Sequence, residues 1–175
     1  MRIAISSKSG CGNTTVTTLV AKKLGYKVIN FTFRQLSEEY KTPFWEFCKQ
    51  AETNYEIDRE LDRRQVEMAM AEENCVLASR LAIWMLKDAD LKVYLTASEE
   101  VRAQRVLKRE GGDIKAKMAE TNGRDLKDHD RYLKIYNIDN DKYDFADMVI
   151  ATDSLKPEAI ADMIVAEVNK RLQTK

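Results

Sequence analysis

SSKSGCGNTTV, residues 6–16, follows directly on the apolar IAI at 3–5, and this junction decides the fold. A hydrophobic strand, a turn with two glycines and a helical pattern opening at Thr14 and Thr15 make the layout of a phosphate-binding loop. In such a loop, backbone N–H groups at a helix N-terminus cup a nucleotide's phosphates. The general pattern is G-x-x-x-x-G-K-[ST]. Here Ser7 stands at the first glycine's place and Asn13 at the lysine's, while Gly10, Gly12 and Thr14 remain. The candidate loop is therefore Ser7, Lys8, Ser9, Gly10, Cys11, Gly12, Asn13, Thr14 and Thr15. It predicts a nucleoside triphosphate site whose charge is met without the usual lysine. Thr14 is placed to offer its hydroxyl to Mg²⁺. Lys8 either reaches phosphate or faces solvent. Asn13 keeps a hydrogen-bond donor but brings no charge. Cys11 is either an oxidisable thiol near a helix N-terminus or a small residue that fits.

Outward from this loop, strand and helix signals alternate. Strands are expected at 2–6, 27–32, 75–79, 91–97 and 146–152. Helices are expected from Thr14 to Leu24, from the Thr42-Pro43 cap, from Ile57 to Glu73, from Ser98 to Glu110, over 113–136, and from Pro157 onward. The alternation predicts an α/β fold, a five-stranded parallel sheet with helices on both faces. Ligands bind such sheets at the strands' carboxyl ends. Two helical excursions, at about 33–73 and 110–140, are candidate clamps over substrates. Gly111-Gly112 and Gly123 make the second a candidate mobile segment. Phe44, Trp45 and Phe47 are expected to pack the first excursion, and Trp84 the core.

The bulk numbers narrow the function classes. The chain has 175 residues, enough for one domain with one adequate core. Lysine plus arginine equals aspartate plus glutamate at 29 each, so no overall basic field exists to hold nucleic acid or an anionic membrane. No long apolar run suggests a signal peptide or membrane span. Cys11, Cys48 and Cys75 are too scattered for a disulfide framework or zinc knuckle, which points to a reducing cytoplasm. His129 has no histidine or cysteine partner at metal spacing and is expected in solvent.

The arginines supply local positive charge. Arg34 and Arg80 follow strands; Arg105 and Arg109 are four apart, and Arg124 and Arg131 seven apart, so each pair shares a helix face. Two phosphates brought together repel, and guanidinium forks both neutralise and orient them. Phosphoryl transfer is chiefly positioning and electrostatics. A phosphate acceptor, with a second pKa near 6, needs no general base.

Together these pieces resemble the nucleoside monophosphate kinases, most closely the archaeal-type cytidylate kinases, from Ile3 to about Val168. The loop without lysine, EIDRELDRRQ at 56–65, SRLAIW at 79–84, RDLKDHDR at 124–131 (against R-D-x-x-D-x-x-R) and YDFADMVIATDSL at 143–155 carry the resemblance. It implies a P-loop NTPase fold and ATP- and Mg²⁺-dependent phosphorylation of CMP, and of dCMP, by a monomer. It divides the chain into a core (1–32, 74–110, 141–175), a monophosphate-binding excursion (33–73) and a lid (111–140). It also implies that Arg34 and Arg80 hold the acceptor's phosphate and that Arg105 and Arg109 sit on the ATP side. Arg124 and Arg131 would stabilise the transferring group from the lid, Asp128 would bind the ribose, and Asp58 would face the cytosine. Two positions depart from the family's pattern. Ser7 replaces a glycine, and Ala78 stands where many relatives carry an acid able to hold a magnesium-bound water. These departures leave open a regulatory nucleotide-binding module without transfer, and the fold leaves open AMP, UMP or another small acceptor.

Overall fold

The computed structural model describes residues 1–173. Five strands, β1 (Arg2–Ser7), β2 (Lys27–Ile29), β3 (Cys75–Ala78), β4 (Leu91–Thr96) and β5 (Met148–Ala151), form one sheet in the order β2-β3-β1-β4-β5. Every pairing is parallel. The phosphate-loop strand β1 is central, so its carboxyl end opens where the order reverses, the usual ligand crevice of such sheets. Helices α1 (Asn13–Leu24), α2 (Phe33–Glu39), α3 (Phe44–Ala51), α4 (Glu56–Met70), α5 (Ala82–Met85), α6 (Glu99–Glu110), α7 (Ile114–Tyr136) and α8 (Pro157–Gln173) complete the described fold.

The alternation of a strand puts Ile3 and Ile5 on one face of β1 and Ala4 on the other. Accordingly, Ile3 and Ile5 pack with Val16 and Val20 of α1 and Ile160 and Ile164 of α8. Ala4 packs on the opposite face with Leu77, Ile83 and Tyr94. A third cluster, with Phe31, Leu36, Phe47, Ile57 and Leu61, gives the first excursion a small core of its own.

Several local details differ from the sequence reading. The second strand ends at Ile29, because Thr32 and Gln35 form a capping box that starts α2, a helix the sequence pattern did not reveal. Another such helix, α5, has four residues. α3 begins after Pro43 without a side-chain cap, since the Thr42 hydroxyl turns to the Tyr40 carbonyl at 3.2 Å. Trp45 does not pack the excursion: it is 80% exposed, while Phe47 beside it is fully buried. Trp84 does lie against the second core cluster, edge-on to Tyr94. His129 is half-buried rather than in open solvent, with Nδ1 3.0 Å from Asn140 Oδ1.

Candidate active site

The loop geometry explains two unusual residues. Ser7 is the last residue of β1, paired in register with Leu95, and its backbone is not left-handed. No glycine is needed there. The left-handed positions are Gly10 (φ +84°) and Gly12 (φ +91°), the two glycines retained. Gly12 is the N-cap of α1, so the first-turn N–H groups face the crevice. Asn13 is tied back to the protein: Nδ2 donates to the Ile5 carbonyl at 3.2 Å, and Oδ1 accepts from Thr17 Oγ1 at 3.1 Å. The residue in the lysine's place is thus a strut between loop and strand.

Two clefts meet at the carboxyl edge of the sheet. The first, about 560 Å³, is lined by the loop from Ser7 to Thr15, together with Arg105, Arg109 and Pro157. The second, about 390 Å³, is lined by Phe31, Asp58, Asp62, Gln65, Asp128 and Arg131, among others. Asn30, Ala78, Ser79 and Arg80 line both. Arg80 is fixed at this junction by local structure. Ser79 N–H donates to the Ile5 carbonyl at 3.3 Å, and Ile83 N–H to the buried Ser6 hydroxyl at 3.1 Å. The Ile5 carbonyl therefore ties together β1, the loop and the end of β3.

The charged groups are placed as follows. Arg80 is ion-paired with Asp128 of α7. Arg131, one turn further along α7, shares Asp128 at 3.2 Å and lies 3.5 Å from Asp58 Oδ1. Arg105 donates to the Gly10 carbonyl at 3.3 Å and to the Thr152 hydroxyl and carbonyl at 2.9 and 2.7 Å. Arg109 is mostly exposed at the edge of the first cleft, paired with Glu110. Lys8 lies 2.6 Å from Asp141. Arg34 and Arg124 line neither cleft. Arg34 rests on the Phe44 ring at 4.3 Å, and Arg124 pairs with Glu120 and, at 3.8 Å, Glu110. Cys11 is 2% exposed and burial pushes its thiol up to about 11, so it is a small packing residue rather than a reactive thiolate.

Three groups in or behind the site, Arg102, Asp62 and Gln65, are not among the site residues expected from the sequence, although the last two lie within EIDRELDRRQ. Arg102 of α6 is buried, and its Nη1 donates to the Ser9 carbonyl at 3.3 Å and to Asp125 of α7 at 2.6 Å. It backs Gly10 so closely that a Cβ there would lie 2.9 Å from Arg102 Cβ. Asp62 is buried one turn after Asp58, accepts from Tyr136 Oη at 2.6 Å, and is pushed up to about 6 by burial. Gln65 Nε2 donates to the Phe31 carbonyl at 2.7 Å.

For a divalent cation, the donor set of the first cleft is sparse but suitable. The Thr14 hydroxyl, in the first turn of α1, makes no hydrogen bond among the described residues. Ala78 adds no carboxylate. Mg²⁺ accepts such sites, with phosphate oxygens and water supplying most ligands. His129, Asp139 and Asp141 also approach one another, but Lys8 already occupies Asp141.

The chain matches the model of the cytidylate kinase-like family over residues 2–154. It is 45% identical to cytidylate kinase 2 of Borreliella burgdorferi, over 98% of this chain and 97% of that one. It is 42% identical to the cytidylate kinase of Archaeoglobus fulgidus, over 96% and 94%. Among solved structures it is similar to an uncharacterized protein from Eubacterium ventriosum (TM-score 0.71, 19% identity, 97% and 98% covered). It is also similar to shikimate kinase from Bacteroides thetaiotaomicron (TM-score 0.64, 17% identity, 99% and 98% covered). At that identity these two speak for the fold alone, a parallel sheet with helices on both faces. The matches over the full length, with a loop, strand-end arginine and α7 motif that converge on one crevice, place the chain in the cytidylate kinase-like family.

Proposed function

We propose that this protein phosphorylates CMP, and dCMP, with ATP as donor. One observation carries the reading: two clefts meet at Arg80, one walled by an anion loop and the other by arginine and carboxylate groups. ATP lies along the first, its phosphates on the N–H groups of Gly10 to Thr15. Arg105 and Arg109 flank it, Arg109 on the phosphate side. The monophosphate lies in the second, its phosphate on Arg80, Asp128 on its ribose and Asp58 toward its base. Arg34 closes onto the acceptor phosphate from α2, and Arg124 onto the transferring group from α7.

Transfer then needs little covalent help. The acceptor phosphate attacks as a dianion, and no general base is required. Arg80 and Arg131 stabilise the charge spread over the transferring group as their bonds to Asp128 and Asp58 yield to phosphate oxygens. Thr14 would hold Mg²⁺, which when bound neutralises charge on the donor phosphates. The segment 111–140 serves as a lid, so hydrogen exchange along α7 slows when both nucleotides bind. Both clefts belong to a single chain, which supports a working monomer. Among the described residues no helix is long and apolar enough to cross a membrane, and the three cysteines are unpaired. Small-molecule nucleotides are the proposed partners, and a reducing cytoplasm the proposed compartment.

The test is an acceptor panel of CMP, dCMP, UMP and AMP with ATP and Mg²⁺, scored as diphosphate product. CDP and dCDP formation dependent on Mg²⁺ is expected. ATP and CMP binding without any diphosphate would instead make the chain a nucleotide-binding module.

A further inference from the structure

The far wall of the second cleft is built from hydrogen-bond acceptors. Asp58 is 3% exposed, and its Oδ2 has no hydrogen-bond partner among the described residues. Asp62, four residues on and so on the same face of α4, accepts from Tyr136 through Oδ2 and keeps Oδ1 free of any side-chain hydrogen bond. Gln65 spends its amide N–H on the Phe31 carbonyl, which leaves its oxygen. The same cleft is cationic at Arg80 and at Arg131, which lies 3.5 Å from Asp58 Oδ1. A nucleotide whose phosphate sits on Arg80 presents its base to the acceptor wall. A buried carboxylate with an unsatisfied oxygen gains most from a donor and loses most from a facing carbonyl.

We infer that Asp62, oriented by the Tyr136 hydroxyl, joins Asp58 in reading the exocyclic amino group of the acceptor's base, and so sets the preference for amino-bearing over oxo-bearing bases. This rests on the kinase reading and deepens it. Cytosine offers an N–H pair where uracil offers an oxygen; the oxygen would meet carboxylates and leave them unpaired. Discrimination then comes as much from rejecting the wrong base as from holding the right one. Tyr136 acts through Asp62 and is a positioning residue: it lies on α7, so the wall is completed only where α7 packs against α4.

The experiment compares wild type, Asp62→Asn and Tyr136→Phe with CMP and UMP, by kinetics and by calorimetric binding of each monophosphate. In wild type, kcat/KM for CMP should exceed that for UMP by about 100-fold or more, as expected of a site that hydrogen-bonds the distinguishing group. Asp62→Asn swaps an acceptor for a donor, so the ratio should fall about tenfold or more, mainly through a higher KM for CMP and a lower one for UMP. Tyr136→Phe should lie between, with kcat nearly unchanged. A ratio unchanged within about twofold in both variants overturns the inference, while wild-type CDP formation keeps the kinase reading intact. If wild type makes no diphosphate, the kinase reading fails. The calorimetric CMP-over-UMP preference, and its loss or survival in the variants, still decides the role of Asp62.

Discussion

Lys8 Nζ lies 2.6 Å from Asp141 Oδ1, which holds the loop's lysine against the turn that follows α7. The pair is a third to a half exposed, so it is worth at most about 1 kcal/mol. A phosphate oxygen offers the same ammonium a stronger, charge-assisted bond. Lys8→Ala should therefore raise the KM for ATP about tenfold or more, the size of a hydrogen bond to a charged group. Asp141→Asn, which removes the competitor, should lower it, by no more than about fivefold. Steady-state kinetics with varied ATP checks both. Equal KM values in all three proteins would mean that Lys8 never reaches the donor.

Arg131 contacts Asp58 and Asp128 at once, and with Arg80 it forms the positive end of the second cleft. Its planar fork is suited to two phosphate oxygens, which an ammonium does not match. Arg131→Ala should lower kcat on the order of a hundredfold or more, and Arg131→Lys should recover little of the loss. Single-turnover measurements at saturating nucleotide separate this from weaker binding. A kcat within a few fold of wild type would remove Arg131 from the transfer step.

The sheet, the loop and the placing of Asp128 and Arg131 beside one cleft were legible because each depends on local pattern, whereas Arg124 of the same motif lines neither cleft. Apolar runs alternate with helical periodicity, and RDLKDHDR keeps Arg124, Asp128 and Arg131 on one face by spacing alone. What was not legible depends on contacts between distant segments. Asn13 looked like a weakened lysine; only the Ile5 carbonyl eight residues earlier shows it to be a strut. Arg102 reads as one more charge on α6, because nothing local announces Ser9 on one side and Asp125 on the other. Asp62 lies in a highly charged helix, and the hydroxyl that bonds it belongs to Tyr136, 74 residues away. The short α2 and α5 escaped for another reason: helices of seven and four residues are too brief to show a period.

Gly10 is needed on two grounds, a φ of +84° and the Arg102 backbone and Cβ within 3.0 Å of any added Cβ. Arg102 is held by Asp125 and Ser9 and is poorly able to move aside. Gly10→Ala should cost on the order of 1–3 kcal/mol, lowering Tm by roughly 5 °C, and should weaken ATP binding as the loop distorts. Gly123 is the control. It is in mid-α7 with nothing within 4 Å of an added Cβ, so Gly123→Ala should raise Tm by a degree or more through helix propensity. Thermal melts with and without ATP test the pair; opposite signs are expected.

Asp62 makes stability depend on pH in a direction opposite to that of most carboxylates. Burial pushes it up to about 6; the Asp58 charge on the same helix adds to this, and the Tyr136 hydroxyl and Arg131 of α7 oppose it. Tyr132 of α7, itself raised by burial, also faces this cluster. The folded state therefore favours the protonated acid more than the unfolded chain does. That contribution is fully present below about pH 4 and is lost as pH rises through about 6. Asn cannot ionise and still accepts from Tyr136, so Asp62→Asn removes the loss. The variant should match wild type near pH 4 and exceed it above pH 6.5, by on the order of 1–3 kcal/mol or a few degrees in Tm. Denaturant unfolding of both proteins from pH 4 to 8 gives the difference directly. A constant gap across that range would mean that Asp62 ionises alike in the folded and unfolded chain, and that its burial against α7 costs the fold nothing.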